Sequence, residues 1–215
     1  MSLRWKIAQA FEVRWWQHYL RNKPTADYLE WKRDYWMEFL EKIKVQPRAG
    51  SHAMDVGCGP AGIFMILDQL KVDALDPLLP TYSDKLDHFK KADYPNVHFH
   101  EMPFESYDVS QQFDYVFCLN AINHVADLAT CMDRLVAITK PGGTLVMSID
   151  AHNYWALKTV FRMIPGDILH PHQYDLAEYR SMLTDRNCEV VNSVLYRREM
   201  IFNYFVLVAQ RLPVT

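Results

Sequence analysis

The chain has no long hydrophobic run. Its longest apolar stretches, Ile63 to Leu67 and Phe205 to Ala209, fall far short of the ~18 residues a membrane-spanning helix requires. It has no excess of positive charge: 23 Lys plus Arg against 26 Asp plus Glu give a net −3. That balance leaves no electrostatic footprint for nucleic acid or anionic lipid. It has no Cys-x-x-Cys pair; Cys58, Cys118, Cys131 and Cys188 are scattered, as expected of free thiols in a reducing compartment. Charge and tryptophan stand near Met1, where a secretory leader would need an apolar core. The expectation is a soluble, cytoplasmic protein with neither nucleic acid nor membrane as partner. Half of the 215 residues are hydrophobic and 23% charged, a globular balance rather than a disordered one. At this length a fold buries roughly 70% of its unfolded surface without a metal or disulfide staple.

What is present is unevenly spread. Five of the six tryptophans lie within the first 36 residues, marking 1–46 as a helical cap set apart from the domain at 47–215. Leu3, Ile7, Phe11, Trp15 and Tyr19 recur every four residues, as an amphipathic helix requires. Pro24 breaks the pattern. Thr25 is the expected N-cap of a second helix, striped by Tyr28, Trp31, Tyr35, Phe39 and Ile43 and ended by Pro47.

Beyond Pro47 short apolar runs alternate with helical ones. Strands are expected at 51–56, 72–76, 97–101, 113–119 and 144–149, with helices at Ile63 to Leu70, Thr81 to Lys91 and after Asp127, the last stopped by Pro141-Gly-Gly143. This alternation predicts a parallel, doubly wound α/β sheet. Asp175 and Glu178 begin a helix ending near Asn187. Two β-rich runs, 189–197 and 200–210, then follow too closely for a crossover, so they must pair as an antiparallel hairpin.

The strongest local signal is Asp55-Val-Gly57-Cys58-Gly59-Pro-Ala-Gly62 at a strand-to-helix turn. Glycines there allow a tight turn and close approach of a ligand, and a helix start offers unpaired N–H groups. Nineteen residues after Gly57, at the end of the second strand, Asp76 stands where an open α/β sheet puts a carboxylate against a ribose. The pattern G-x-G-x-x-G also suits a dinucleotide. Three features argue against that. Asp55 puts negative charge beside the loop, which suits an ammonium group better than a pyrophosphate. The second βαβαβ half of a dinucleotide fold is missing, and the terminal hairpin has no place in it.

As an ordered set these motifs resemble class I S-adenosylmethionine-dependent methyltransferases: Asp55-Val-Gly-Cys-Gly-Pro as their first motif and Asp76 as their ribose-binding acid. Phe113-Asp-Tyr-Val is similar to their fourth-strand motif, Lys140-Pro-Gly-Gly143 to the turn before the fifth strand, and the hairpin to strands six and seven. The likeness spans roughly Arg48 to Gln210 and departs at Ala61, where the family often has glycine. It implies a Rossmann-like, mostly parallel seven-stranded sheet ending in that hairpin. It also implies S-adenosyl-L-methionine as cofactor and S-adenosyl-L-homocysteine as product. Cofactor contacts would come from Asp55, Gly57, Cys58, Gly59, Asp76 and Pro77, with adenine near Met102, Pro103 and Phe104 and the sulfonium near Leu119 and Asn120.

His124 sits where some small-molecule O-methyltransferases of this class have a catalytic histidine, although many relatives use such a histidine only to organise the loop. Asn123 could orient substrate. His152, Tyr154, His170 and His172 flank an irregular stretch after the fifth strand that suits a substrate lid, and Trp16 and Tyr19 could both pack and line the acceptor pocket. His170-Pro-His172 with His152 or His124 lacks an acidic or cysteine ligand at metal-site spacing, so no metal is expected. His98 and His100 share one face of a strand, expected to be its wetter side. Without a basic patch, and with Asn120-Ala-Ile-Asn123 in place of an Asn/Asp-Pro-Pro-Tyr signature, the expected acceptor is a small molecule. The competing readings are a non-catalytic cofactor- or nucleotide-binding module and, less well supported, an NAD-dependent oxidoreductase. Oligomeric state is open.

Overall fold

The computed structural model describes residues 3–125, 127–152, 174–198 and 202–213. It divides into two compact units, Met1–Tyr107 and Asp108–Thr215. The strands form a seven-stranded, mostly parallel sheet with an antiparallel hairpin at its end.

In the first unit, α1 (Leu3–Leu20) and α2 (Thr25–Ile43) precede the strands β1 (His52–Val56), β2 (Lys71–Leu75) and β3 (Val97–His100), with α3 (Leu79–Lys85) between the last two. The strands are parallel in the order β3-β2-β1, with Asp55 opposite Ala74 and Asp73 opposite His98. Phe64, Phe89, Tyr94 and Phe99 pack edge to face in the core, ring centroids 4.9–6.4 Å apart, the offset geometry that aromatic quadrupoles prefer.

The stripe on α1 is rotated from the one expected, whereas α2 buries Tyr28, Phe39 and Ile43 as expected and differs at one tryptophan. On α1, Phe11 and Trp15 are 57% and 54% exposed while Val13 and Leu20 are buried. Two contacts set that rotation: Tyr82 Oη donates to Glu12 at 2.8 Å, and Trp16 lies over Gly59. On α2, Trp36 rather than Trp31 is buried, because its indole N–H donates to the Ala61 carbonyl at 3.0 Å. Thr25 is the first helical residue, not the cap; Pro24 takes that place with φ −55° and ψ 135° and no side-chain bond. Lys44 in the left-handed region (φ 59°) stops the helix ahead of Pro47, its N–H bonded to Glu41 O.

The helix expected from Ile63 is absent. In its place are two short 3₁₀ turns, Gly59–Ala61 and Ile63–Ile66, separated by Gly62 in extended geometry (φ −73°, ψ −179°). Pro60 and that extended residue interrupt an i→i+4 ladder, and β2 begins too soon afterwards for one to restart. α3 likewise ends at Lys85, where Leu86 turns extended (φ −123°, ψ 117°).

In the second unit, β4 (Phe113–Cys118) runs parallel to β5 (Thr139–His152), β5 pairs antiparallel with β7 (Phe202–Arg211), and β7 with β6 (Cys188–Arg197), giving the order β4-β5-β7-β6. Asp127 caps α4 (Leu128–Ile138) by accepting from Thr130 N–H at 3.0 Å. α5 (Leu176–Thr184) starts with a complete capping box between Asp175 and Glu178, both orphan donors satisfied reciprocally. It stops short of Asn187, which is left-handed (φ 59°) at the entry to β6. β5 starts five residues earlier than expected and absorbs Pro141-Gly-Gly143. There Gly142 has φ 76°, and Lys140 pairs with Asp114 at 2.9 Å.

Candidate functional site

The turn after β1 is built by hydrogen bonds to the tip of β2. Gly57 and Cys58 donate their N–H groups to the Leu75 carbonyl at 2.8 and 3.1 Å, and Gly59 N–H donates to Asp76 Oδ2 at 3.0 Å. Such a curl needs left-handed backbone at Gly57 (φ 68°) and Gly59 (φ 59°), where a Cβ would cost roughly 1–2 kcal/mol. Asp76 also accepts Leu78 N–H on Oδ1 at 2.8 Å, leaving each oxygen a further lone pair. The carboxyl is buried. Burial, reinforced by Glu12, pushes its pKa up to about 7 against the opposing bonds from Leu78 and Gly59.

Asp55, one turn away, is buried too. Its Oδ2 accepts Phe64 N–H at 3.2 Å, and Ile63 N–H bonds it as well. The N–H groups expected to be free for a ligand are therefore held by this carboxylate. Burial raises Asp55 to about 7, and the same burial lowers Lys32 to about 8 against the pull of Asp55. In this structure the ammonium beside Asp55 is that of Lys32, a residue the sequence did not single out. Its ammonium lies 4.4 Å from the ring centres of Tyr35 and of Trp36, within cation–π range. Arg33 donates to the Met65 carbonyl, so α2 is tied to both 3₁₀ turns. Neither Lys32 nor Arg33 belongs to a motif; only their i, i+4 and i, i+3 spacing from Trp36 hinted at them.

Trp16 is half-buried, with a ring carbon 3.8 Å from where a Cβ on Gly59 would lie. Tyr19 is half-buried, stacked on Trp15 at 4.9 Å and covered by Lys23. Cys58 is buried and Pro77 half-buried. After β3, Met102 and Pro103 are half-buried and Phe104 is buried, stacked with Tyr107.

In the second unit Leu119 is buried and Asn120 exposed, with Asn120 left-handed (φ 56°) and its N–H donated to Ser148 Oγ at 2.7 Å. Asn123 is buried with both ends of its amide engaged: it accepts from Tyr179 Oη at 3.0 Å and donates to Asp150 at 3.3 Å. His124 is exposed on the same short turn. His152 ends β5; Tyr154, His170 and His172, the rest of the expected lid, lie outside the described residues.

Residues 54–147 match a family model described as a methyltransferase domain. Over that stretch the chain is similar to class I S-adenosylmethionine-dependent methyltransferases. A ubiquinone biosynthesis O-methyltransferase of Nitrobacter winogradskyi is 28% identical over 136 residues, 59% of this chain and 51% of that one; the chain spans just over half the length of such relatives. Among solved structures, the Burkholderia thailandensis 1,6-didemethyltoxoflavin-N1-methyltransferase with bound 1,6-didemethyltoxoflavin and S-adenosylhomocysteine superposes with TM-score 0.62 at 15% identity, covering 99% of this chain and 92% of that one. The [4+2]-cyclase SpnF superposes with TM-score 0.65 at 12% identity over 84% and 80%. The fold is thus shared with enzymes of different chemistry, and function has to be argued from the residues.

Proposed function

We propose that this chain transfers a methyl group from S-adenosyl-L-methionine to a small-molecule acceptor, with oxygen as the atom the relatives' name favours. The observation that supports it is the bond from Gly59 N–H to Asp76. It holds the glycine turn against a buried carboxylate whose spare lone pairs suit a ribose diol, and left-handed glycines leave the turn open to a nucleoside. The cofactor supplies the activated carbon. The chain's own part is placement, which can contribute ~7–11 kcal/mol, more than the roughly 3–5 kcal/mol of a base. Met102 to Phe104 would hold adenine. Residues 1–46 would form the cap, with Trp16 bordering the approach to Gly59.

A thermal-shift measurement tests this. S-adenosylhomocysteine at ~100 times its dissociation constant adds ~2.7 kcal/mol, raising the melting point by about 5–10 °C for a chain of this size. NAD should add little, and Asp76→Ala should remove most of the shift. A larger response to NAD would replace the methyltransferase reading by the oxidoreductase one. A response to S-adenosylhomocysteine without transfer of tritiated methyl to any acceptor in a broad screen would favour the binding module.

His124 is the proposed base, since Asn123 already organises the turn and leaves the imidazole exposed. A base typically contributes 10²–10⁴-fold, and solvent can replace part of it. His124→Ala is therefore expected to lower kcat at least about tenfold with unchanged affinity for S-adenosylhomocysteine. Normal turnover would make the residue structural.

A further inference from the structure

Away from the glycine turn, one face of the three-strand half-sheet gathers four groups. In a parallel pair, opposed residues share a face, so Asp73 of β2 lies on the same side as His98 opposite it, His100 two residues on, and His52 of β1. The Asp73 side chain is 7% exposed, and three imidazole nitrogens reach it. His98 Nδ1 and His100 Nε2 both approach Oδ1, at 3.2 and 2.5 Å, and His52 Nε2 approaches Oδ2 at 2.5 Å. The expectation that His98 and His100 simply face water holds for His98 alone: its side chain is 75% exposed, that of His100 only 16%. His100 is turned inward against Tyr107, ring centroids 5.2 Å apart.

One protonated imidazole would neutralise one carboxylate, so three are a surplus for a structural ion pair. Two nitrogens and one oxygen converging on a point are the donor set of a metal ion: the donor atoms of Asp73, His98 and His100 all lie within 4.8 Å of one another. Tetrahedral zinc with ligands at ~2.0–2.1 Å needs its donors roughly 3.3 Å apart. The Asp73–His98 separation is already there, and the Asp73–His100 one must widen by less than 1 Å.

We propose that Asp73, His98 and His100 form a binding site for a divalent transition-metal ion of the zinc class. His52 holds the far oxygen of Asp73, so that the carboxylate presents Oδ1 alone. Imidazole and carboxylate suit zinc, nickel or copper, whereas magnesium and calcium favour all-oxygen cages. Exposure of His98 gives the ion its way in.

The test is titration calorimetry of the chelator-treated full chain with zinc chloride, and separately with magnesium chloride. Cobalt(II) absorption then reads out the geometry. The expected result is one zinc per chain, no magnesium binding, and tetrahedral-type cobalt bands. His98→Gln, at the most exposed ligand, should weaken zinc at least tenfold without disturbing the circular-dichroism spectrum, and His98→Gln with His100→Gln should abolish it. His52→Ala should weaken it about 10–100-fold, as removal of an outer-shell partner does. Absence of zinc binding, or one-to-one binding that survives the double substitution and so belongs to other histidines, overturns the proposal.

Discussion

Gly62→Ala is expected to destabilise the fold by about 3–5 kcal/mol, enough to lower the melting point by roughly 6–20 °C. The backbone of Gly62 is not the reason, because its φ of −73° suits any residue. The reason is space. A Cβ there falls inside contact distance of Asp55 Oδ2, 2.5 Å from the Cys58 carbonyl oxygen and 3.0 Å from a Phe64 ring carbon. Overpacking typically costs 1–3 kcal/mol. Here the side chain forced aside is also the acceptor for Phe64 N–H, and a buried donor left unpaired adds roughly 1–3 kcal/mol. Gly59→Ala is the control. Its φ is 59° but the nearest atom to a Cβ is a Trp16 carbon at 3.8 Å, so it should cost only the left-handed penalty of roughly 1–2 kcal/mol. Chemical denaturation of both variants decides it. Equal losses would mean that the turn relaxes around Gly62 and that Asp55 is not clamped.

That pair of glycines also shows what was legible in the sequence. Both belong to one motif, and the motif placed the turn after β1 and Asp76 just past β2. The parallel sheet followed from short apolar runs alternating with helical ones at crossover spacing, and the terminal hairpin from the lack of room for a crossover. The capping box at Asp175 and Glu178 is local chemistry and was readable as such. What was not legible depends on where distant groups end up. The Ile63 to Leu70 spacing is helical, yet Asp55 takes the Ile63 and Phe64 N–H groups and Pro60 and Gly62 break the ladder. The stripe on α1 has the right period, but which arc is buried was decided by Glu12 reaching Tyr82, 70 residues away in sequence. Lys32 and Asp73 lie in no motif. Their surroundings come from strand register and helix packing, which a single sequence does not state.

With the proposed ribose contact at Asp76, cofactor binding is expected to depend on pH in a direction fixed by the surroundings of that carboxyl. Burial, with Glu12 adding to it, raises the folded-state pKa to about 7 from 3.8; Asp55 is raised to about 7 by burial as well. An acid whose pKa rises on folding keeps a proton that the unfolded chain has released. Its contribution to stability is therefore fully present below pH 3.8 and is lost as pH climbs to about 7. The free protein should lose stability over that interval. Ligand binding should run the other way. A ribose diol donates two O–H groups, which a carboxylate accepts on its two oxygens, whereas a carboxylic acid carries its own proton on one of them; the ionised fraction of Asp76 is therefore the competent one, and apparent affinity is expected to fall up to tenfold per pH unit below about 7. Between pH 7 and pH 5 the dissociation constant of S-adenosylhomocysteine should rise on the order of a hundredfold. Asp76→Asn should bind weakly at every pH and flatten the profile, because an amide has nothing to titrate. Asp55 titrates in the same range but faces Ile63, Phe64 and Lys32, so Asp55→Asn should change the stability slope and leave the slope of binding in place. Calorimetry at pH 5, 6 and 7 on the three proteins separates the two carboxylates. A wild-type profile that is flat across those values would mean that Asp76 is already ionised in the free protein, or that it does not hold the ribose.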